Sequence, residues 1–275
     1  MNRPRTIVGL YMLCALAFSA IPAQSATAAS KGTTAFTCKA GAGTFKTEHC
    51  VPSEPTGGTF GHVAIAQDTT TVIKASNTKT NAATNGLSQT ALKAMIAGAP
   101  LESTAEVGLH GAGTLTNKKD ASTGEHYFEG ESTLFFEGMG VTAPAGKGCE
   151  VYTDKLKAVK GVIDGKVKMT SKGQGDFVKF ESAGAGPIMT YFIECSTKVP
   201  AIEGTWELTG SFKCPTNGAT IVCSHTTTTE QNTLKGKKMG LEVKMGIQVT
   251  LTIEGQCAIE GGPYTPLSFT TVETP

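Results

Sequence analysis

Across residues 126–141 the chain alternates. Phe128, Leu134 and Phe136 fall on one parity, and Tyr127, Glu129, Glu131 and Thr133 fall on the other. A period of two marks a strand with one face on a core and the other toward solvent. The same reading gives a series of short strands divided by turn residues. Residues 62–65 and 70–74 lie either side of a turn at Gln67-Asp68. Residues 105–115 form a hairpin with 126–141 around a loop at 117–124. Residues 177–180 and 188–193 flank Gly184-Ala185-Gly186 and read as a further hairpin, residues 204–208 lead into Phe212, and 240–253 supplies two strands. Residues 87–97 read two ways. Ser88 caps a helix whose Leu92, Met95 and Ile96 share a face, or Leu92, Ala94 and Ile96 alternate as a strand ending at Gly98-Ala99-Pro100; the strand is preferred.

One hairpin has its register written in the sequence. In Cys214-Pro-Thr-Asn-Gly-Ala-Thr-Ile-Val-Cys223, a two-residue Gly218-Ala219 loop sets Asn217 opposite Thr220 and Cys214 opposite Cys223. Pro215 then occupies a hydrogen-bonding position that it cannot fill, which suggests an edge strand or a longer loop. Turn signals at this density predict an all-β fold, an antiparallel β-sandwich, with two packed halves dividing near Ala145 as a variant.

The start of the chain sets the compartment. Arg3 and Arg5 precede an apolar run over residues 7–21, followed by Pro22 and Ala26-Thr27-Ala28. A basic start, a short apolar stretch and a small-residue site make a Sec signal peptide over residues 1–28, cleaved after Ala28. Cys14 is read as part of its apolar run. No later stretch approaches the ~20 apolar residues of a membrane span, so the mature chain is expected to be secreted or held at the cell surface. In an oxidising compartment cysteines pair. Cys214–Cys223 is the bond that geometry supports best, Cys149–Cys195 comes next, and Cys38–Cys50 would staple a loop-rich N-terminal segment, residues 29–59, by about 2–3 kcal/mol. Residues 60–275 form the β region. Seven cysteines outlast the signal peptide, and Cys257 is the odd one, free or paired with another chain.

Charge narrows the partners. Lys+Arg 24 against Asp+Glu 23 leaves a formal net charge of +1, with no electrostatic footprint for nucleic acid or an anionic membrane. Apolar residues make up 39%, enough for a buried core.

Candidate chemistry is sparse. His49, His62, His110, His126 and His225 show no metal-ligand spacing, and no HExxH, Cys-x-x-Cys or Gly-x-Ser-x-Gly motif occurs. Neither a metal nor a cofactor is called for. Glu129, Glu131, Glu181 and Glu207 could supply a carboxylate pair for glycoside hydrolysis. Asp120-Ala-Ser122-Thr-Gly124 has the oxygen spacing of a calcium loop without its remaining carboxylates, and reads as a hairpin loop. Trp206, Tyr152, Tyr191 and Tyr264 could stack on sugar rings, although a sole Trp more often anchors a core. Thr226 to Thr229 read as strand fill, and Lys235, Lys237, Lys238 and Lys244 as a solvated turn and outer face.

The stretches Pro144-Ala-Gly-Lys-Gly-Cys149-Glu-Val, Leu156-Lys-Ala158, Val178-Lys-Phe-Glu181, Phe192-Ile-Glu-Cys195 and Gly204-Thr-Trp-Glu-Leu-Thr-Gly-Ser211 carry a resemblance. So do residues 226–235 and the closing Tyr264-Thr-Pro-Leu-Ser-Phe-Thr-Thr-Val-Glu-Thr-Pro275. Over roughly residues 60 to 275 the chain resembles a set of uncharacterised secreted β-rich proteins of soil actinobacteria. The resemblance implies an exported β protein and carries no activity. The reading that results is an exported, non-catalytic binding or structural protein, partnered by cell-wall or extracellular polysaccharide or by another copy of itself. A secreted polysaccharide hydrolase is the alternative.

Overall fold

The computed structural model describes residues 32–46, 57–78, 90–217, 220–256 and 264–270. The expected signal peptide, Cys50, Cys257 and His49 lie outside them. Among the described residues there are sixteen strands: β1 (Thr34–Phe45), β2 (Phe60–Ala64), β3 (Thr70–Thr78), β4 (Thr90–Ile96), β5 (Ala99–Lys119), β6 (His126–Ala143), β7 (Cys149–Tyr152), β8 (Val162–Thr170), β9 (Phe177–Ser182), β10 (Met189–Cys195), β11 (Gly204–Thr209), β12 (Ser211–Asn217), β13 (Thr220–His225), β14 (Lys235–Lys238), β15 (Leu241–Gln256) and β16 (Tyr264–Thr270). The fold is all-β and antiparallel, as the alternation requires. Buried positions alternate with half-buried or exposed ones along β8 and β10 throughout. Residues 87–97 resolve as the strand β4 from Thr90 onward.

The pairing closes on itself twice. One circuit runs β15, β3, β5, β6, β8, β9, β12, β13 and back to β15. A second runs β15, β4, β5, β6, β7, β10, β11, β14 and back to β15. The long strands β5, β6 and β15 belong to both, so the sheets that pack face to face are also joined at their sides by hydrogen bonds. An eight-stranded closure leaves an interior just wide enough for side chains. Phe128, Phe136, Phe180, Tyr191 and Trp206 fill it, within one continuous core. Where the circuits meet, the void lined by Leu109, Leu134, Phe136, Val167 and their neighbours is about 10 Å³, about one water molecule at most.

Tight coiling of β5 on β6 depends on glycine. A Cβ on Gly113 would stand 2.0 Å from the Glu131 carbonyl oxygen, and one on Gly130 2.3 Å from that of Thr114. Coiling of this kind turns a sheet toward closure.

β1 and β16 cover one end of the first circuit. Asn117, at the end of β5, accepts from Ala35 N and donates to the carbonyls of Ala35 and Ile65. The Ser171 hydroxyl donates to Thr33 O and accepts from Phe128 N. Phe269 of β16 packs 5.3 Å from Phe128. The N-terminal segment thus contributes a buried strand, with Ala35 and Phe36 in the core, although the sequence reads as loop-rich there.

Three local expectations are corrected. Residues 177–193 do not make a hairpin: β9 and β10 lie end to end along the same edge of β8, and residues 183–187 form an excursion in one ladder. Ala183 N bonds Lys166 O before the excursion, and Lys166 N bonds Ile188 O after it. The glycines supply a turn, but both apolar runs are needed on the same wall. Residues 241–256 form one strand, not two. Thr226 to Thr229 form a turn beyond β13, closed by their own hydroxyls, and are not strand fill.

Candidate functional site

With the interior filled, ligand space lies outside. An external groove of about 780 Å³ runs over the outer face of β10, β11 and β14. Phe192, Thr205 and Glu207 line its strand face. The β14–β15 hairpin (Lys237 to Glu242) and Lys155 of the β7–β8 connection also line it.

Alternation along β10 sends Met189, Tyr191, Ile193 and Cys195 inward and leaves Thr190, Phe192 and Glu194 outward. In register, Phe192 faces Tyr152 of β7 on one side and Thr205 of β11 on the other. The Tyr152 and Phe192 rings are 6.5 Å apart at 46°, an aromatic pair on a half-exposed surface. The Tyr152 hydroxyl donates to Glu150, and that bond holds the phenol above its ordinary pKa. Lys157 stands 5.9 Å over the Tyr152 ring and pairs with Glu194.

Beside the groove, Glu203 is built into the backbone. Its carboxylate accepts from Cys195 N and Val199 N and pairs with Lys198. Burial pushes its pKa up, but these donors outweigh it and the group lies below the ordinary carboxylate range. Glu242 is also held low, first by Lys235 and then by Lys237. The stem of Lys238 lies across Gly204. Its ammonium donates to Pro200 O and stands 5.8 Å from the Trp206 ring centroid. Desolvation draws this lysine below its ordinary pKa, with Glu203 opposing.

The expected disulfides support this face. Cys149 and Cys195 are register partners three residues from Tyr152 and Phe192, and their sulfurs are bonded. The bond therefore fixes the offset of β7 on β10. Cys214 and Cys223 are also bonded, with Cα atoms 4.8 Å apart, the spacing of a non-hydrogen-bonded antiparallel pair. Pro215 does sit at a bonding position toward β13, and the β12–β13 ladder is formed only beyond it, at Thr216 and Asn217. β12 is not an edge strand, however, because β9 pairs along its other side.

Other predicted residues are dispersed. Glu129 and Glu131 stand on β6 and Glu181 on β9, with Lys168 between Glu131 and Glu181 in register. Glu207 is on β11. Trp206 is fully buried and donates from Nε1 to Ile202 O at 2.7 Å. Tyr191 is buried too. Tyr264 lies in β16. Asp120 holds its loop by accepting from Ser122 and Thr123, and Lys172 takes the place a cation would fill. His62, His110, His126 and His225 sit apart on β2, β5, β6 and β13, and no group of three or more His, Cys, Asp or Glu able to hold a metal occurs among the described residues. Cys38 lies in β1 opposite His62, but the expected Cys38–Cys50 bridge and the odd thiol of Cys257 fall on residues outside those described.

Phe192 was not among the candidate residues read from the sequence, and Lys238 was read only as part of a solvated outer face. Phe192 shares parity with Thr190 and Glu194, which was a readable sign of a solvent-facing aromatic.

Fold and groove together define an antiparallel all-β protein, doubly closed, with a cleft on an outer sheet face. Comparison with protein-family models, with curated proteins and with solved structures gives no match.

Proposed function

We propose that this is an exported, non-catalytic binding protein that takes polysaccharide on the outer face of β7, β10 and β11. The observation that carries this reading is the Tyr152–Phe192 pair beside a 780 Å³ groove. Aromatic faces stack on the apolar faces of sugar rings, and Thr205, Glu207 and Lys155 offer hydroxyl, carboxylate and ammonium groups to sugar hydroxyls. Two buried cross-strand disulfides suit an oxidising compartment. A hydrolase reading draws less support. Glu203 and Glu242 are tied up by lysines and backbone N–H groups, which leaves Glu207 alone where the two-carboxylate mechanism needs a pair.

The test is pull-down and calorimetry of the exported protein against a polysaccharide panel, with reducing-end release measured in parallel. Binding that is lost in Phe192→Ala and weakened in Tyr152→Ala, without released ends, is expected. Released ends that vanish in Glu207→Gln would install the hydrolase instead.

A further inference from the structure

The polarity of the groove can be worked out from which of its charges are already satisfied. Glu203 is neutralised by Lys198 and two backbone N–H groups, and Glu242 by Lys235 and Lys237. Glu207 is exposed and stands opposite Lys237 in register. Two ammonium groups remain. Lys155 and Lys238 both line the groove, and neither pairs with a carboxylate within 4 Å among the described residues. Three lysines and three glutamates line the groove; with Glu203 and Glu242 neutralised as above, Lys155 and Lys238 stand against Glu207 alone. A near-neutral protein therefore carries a locally cationic cleft next to an aromatic pair.

We infer that the ligand is an anionic saccharide, a polymer with uronate carboxylates or sugar phosphates, its ring on Phe192 and Tyr152 and its acidic group on Lys155 and Lys238. The inference rests on the binding reading above and specifies its ligand class. Lys238 suits the role because its stem is fixed across Gly204 and its ammonium is partly stripped of water. An anion arriving there meets a donor that is already ordered, and charge-assisted bonds are the stronger kind. The exposed tips Met239 and Leu156 flank the same lysines, so an anionic lipid surface is the competing occupant. Thr205 and Glu207, on the strand face beside Phe192, offer hydrogen-bonding groups that a sugar uses and a lipid surface does not, and these favour the saccharide.

The experiment is calorimetric titration of the full exported protein with polygalacturonate, a phosphorylated mannan and neutral mannan, at low salt and at about 0.5 M salt, where screening is nearly complete beyond contact distance. At least one acidic polymer is expected to bind about tenfold or more tighter than neutral mannan, and to weaken with salt. Lys238→Met and Lys155→Met should each cost about tenfold on the acidic polymer alone, while Phe192→Ala weakens every polymer bound; unchanged urea midpoints exclude misfolding. Binding by only the uronate or only the phosphate polymer would identify the source of the anion. Equal affinity for neutral mannan, indifferent to both lysines, would overturn the anionic assignment and leave the polysaccharide reading standing. No binding to any polymer, with capture by anionic vesicles that Met239→Ser abolishes, would overturn both.

Discussion

The two disulfides make a quantitative pair. Cys149–Cys195 spans 46 residues of sequence and Cys214–Cys223 spans nine. If each stabilises by restricting the unfolded chain, loop-closure entropy gives about 4 kcal/mol for the first and about 2.6 kcal/mol for the second at 25 °C. Both bonds sit in register between adjacent strands, and three of the four cysteines are fully buried, with Cys149 half-buried. Replacing each pair by alanines therefore removes similar packing, slightly more at Cys214–Cys223, and the difference between the pairs reports loop length. The double variant Cys149→Ala/Cys195→Ala should be less stable than Cys214→Ala/Cys223→Ala by about 1.4 kcal/mol. Equilibrium urea unfolding measures this by linear extrapolation. Trp206, the sole tryptophan and wholly buried, is a built-in fluorescence reporter. Equal losses, or a greater loss at Cys214–Cys223, would refute the entropic account and assign the stabilisation to local packing.

Three further outcomes are expected. Gly113→Ala should destabilise by about 2 kcal/mol, because the new methyl carbon meets a β6 carbonyl. Gly140→Ala, with nothing within 4 Å, should stay within about 0.5 kcal/mol of the parent in the same urea assay. Glu203→Gln should destabilise at pH 7 and progressively less in acid. A carboxylate held low contributes fully above its unfolded pKa, near 4.5, and loses that contribution as pH falls through the lower folded value; a variant-to-parent gap constant from pH 7 to pH 3 would contradict this. Finally, Cys149→Ala/Cys195→Ala should weaken polysaccharide binding while Cys214→Ala/Cys223→Ala leaves it intact, as titrations under folding conditions will tell. Only the first bond fixes β7 on β10.

What the sequence revealed was local. The alternation over Phe128, Leu134 and Phe136 placed β6 and its core face correctly, because parity is a property of consecutive residues. The ten residues from Cys214 to Cys223 fixed their own register, since a two-residue loop leaves no freedom. Gly184-Ala185-Gly186 misled for the complementary reason: glycine permits a turn but does not say whether the chain then reverses or resumes. That was decided by Val178, Phe180, Ile188 and Ile193, which all belong on the wall that lies along β8. The two closures, and a groove that brings Lys155 to Lys238 from elements some eighty residues apart, arise from long-range register. No window of the chain contains that information.

β5, β6 and β15 serve two circuits at once, and this governs how the molecule comes apart. A strand at a free margin can fray singly, like the last row of a knitted cloth. Here, lifting any strand of either circuit means unzipping two ladders together, and lifting a shared one opens both circuits. A protease that nicked the 183–187 excursion would sever the chain and release nothing, because each fragment is still woven through the other. For a protein proposed to work among extracellular enzymes, damage to the thread and loss of the fabric become separate events.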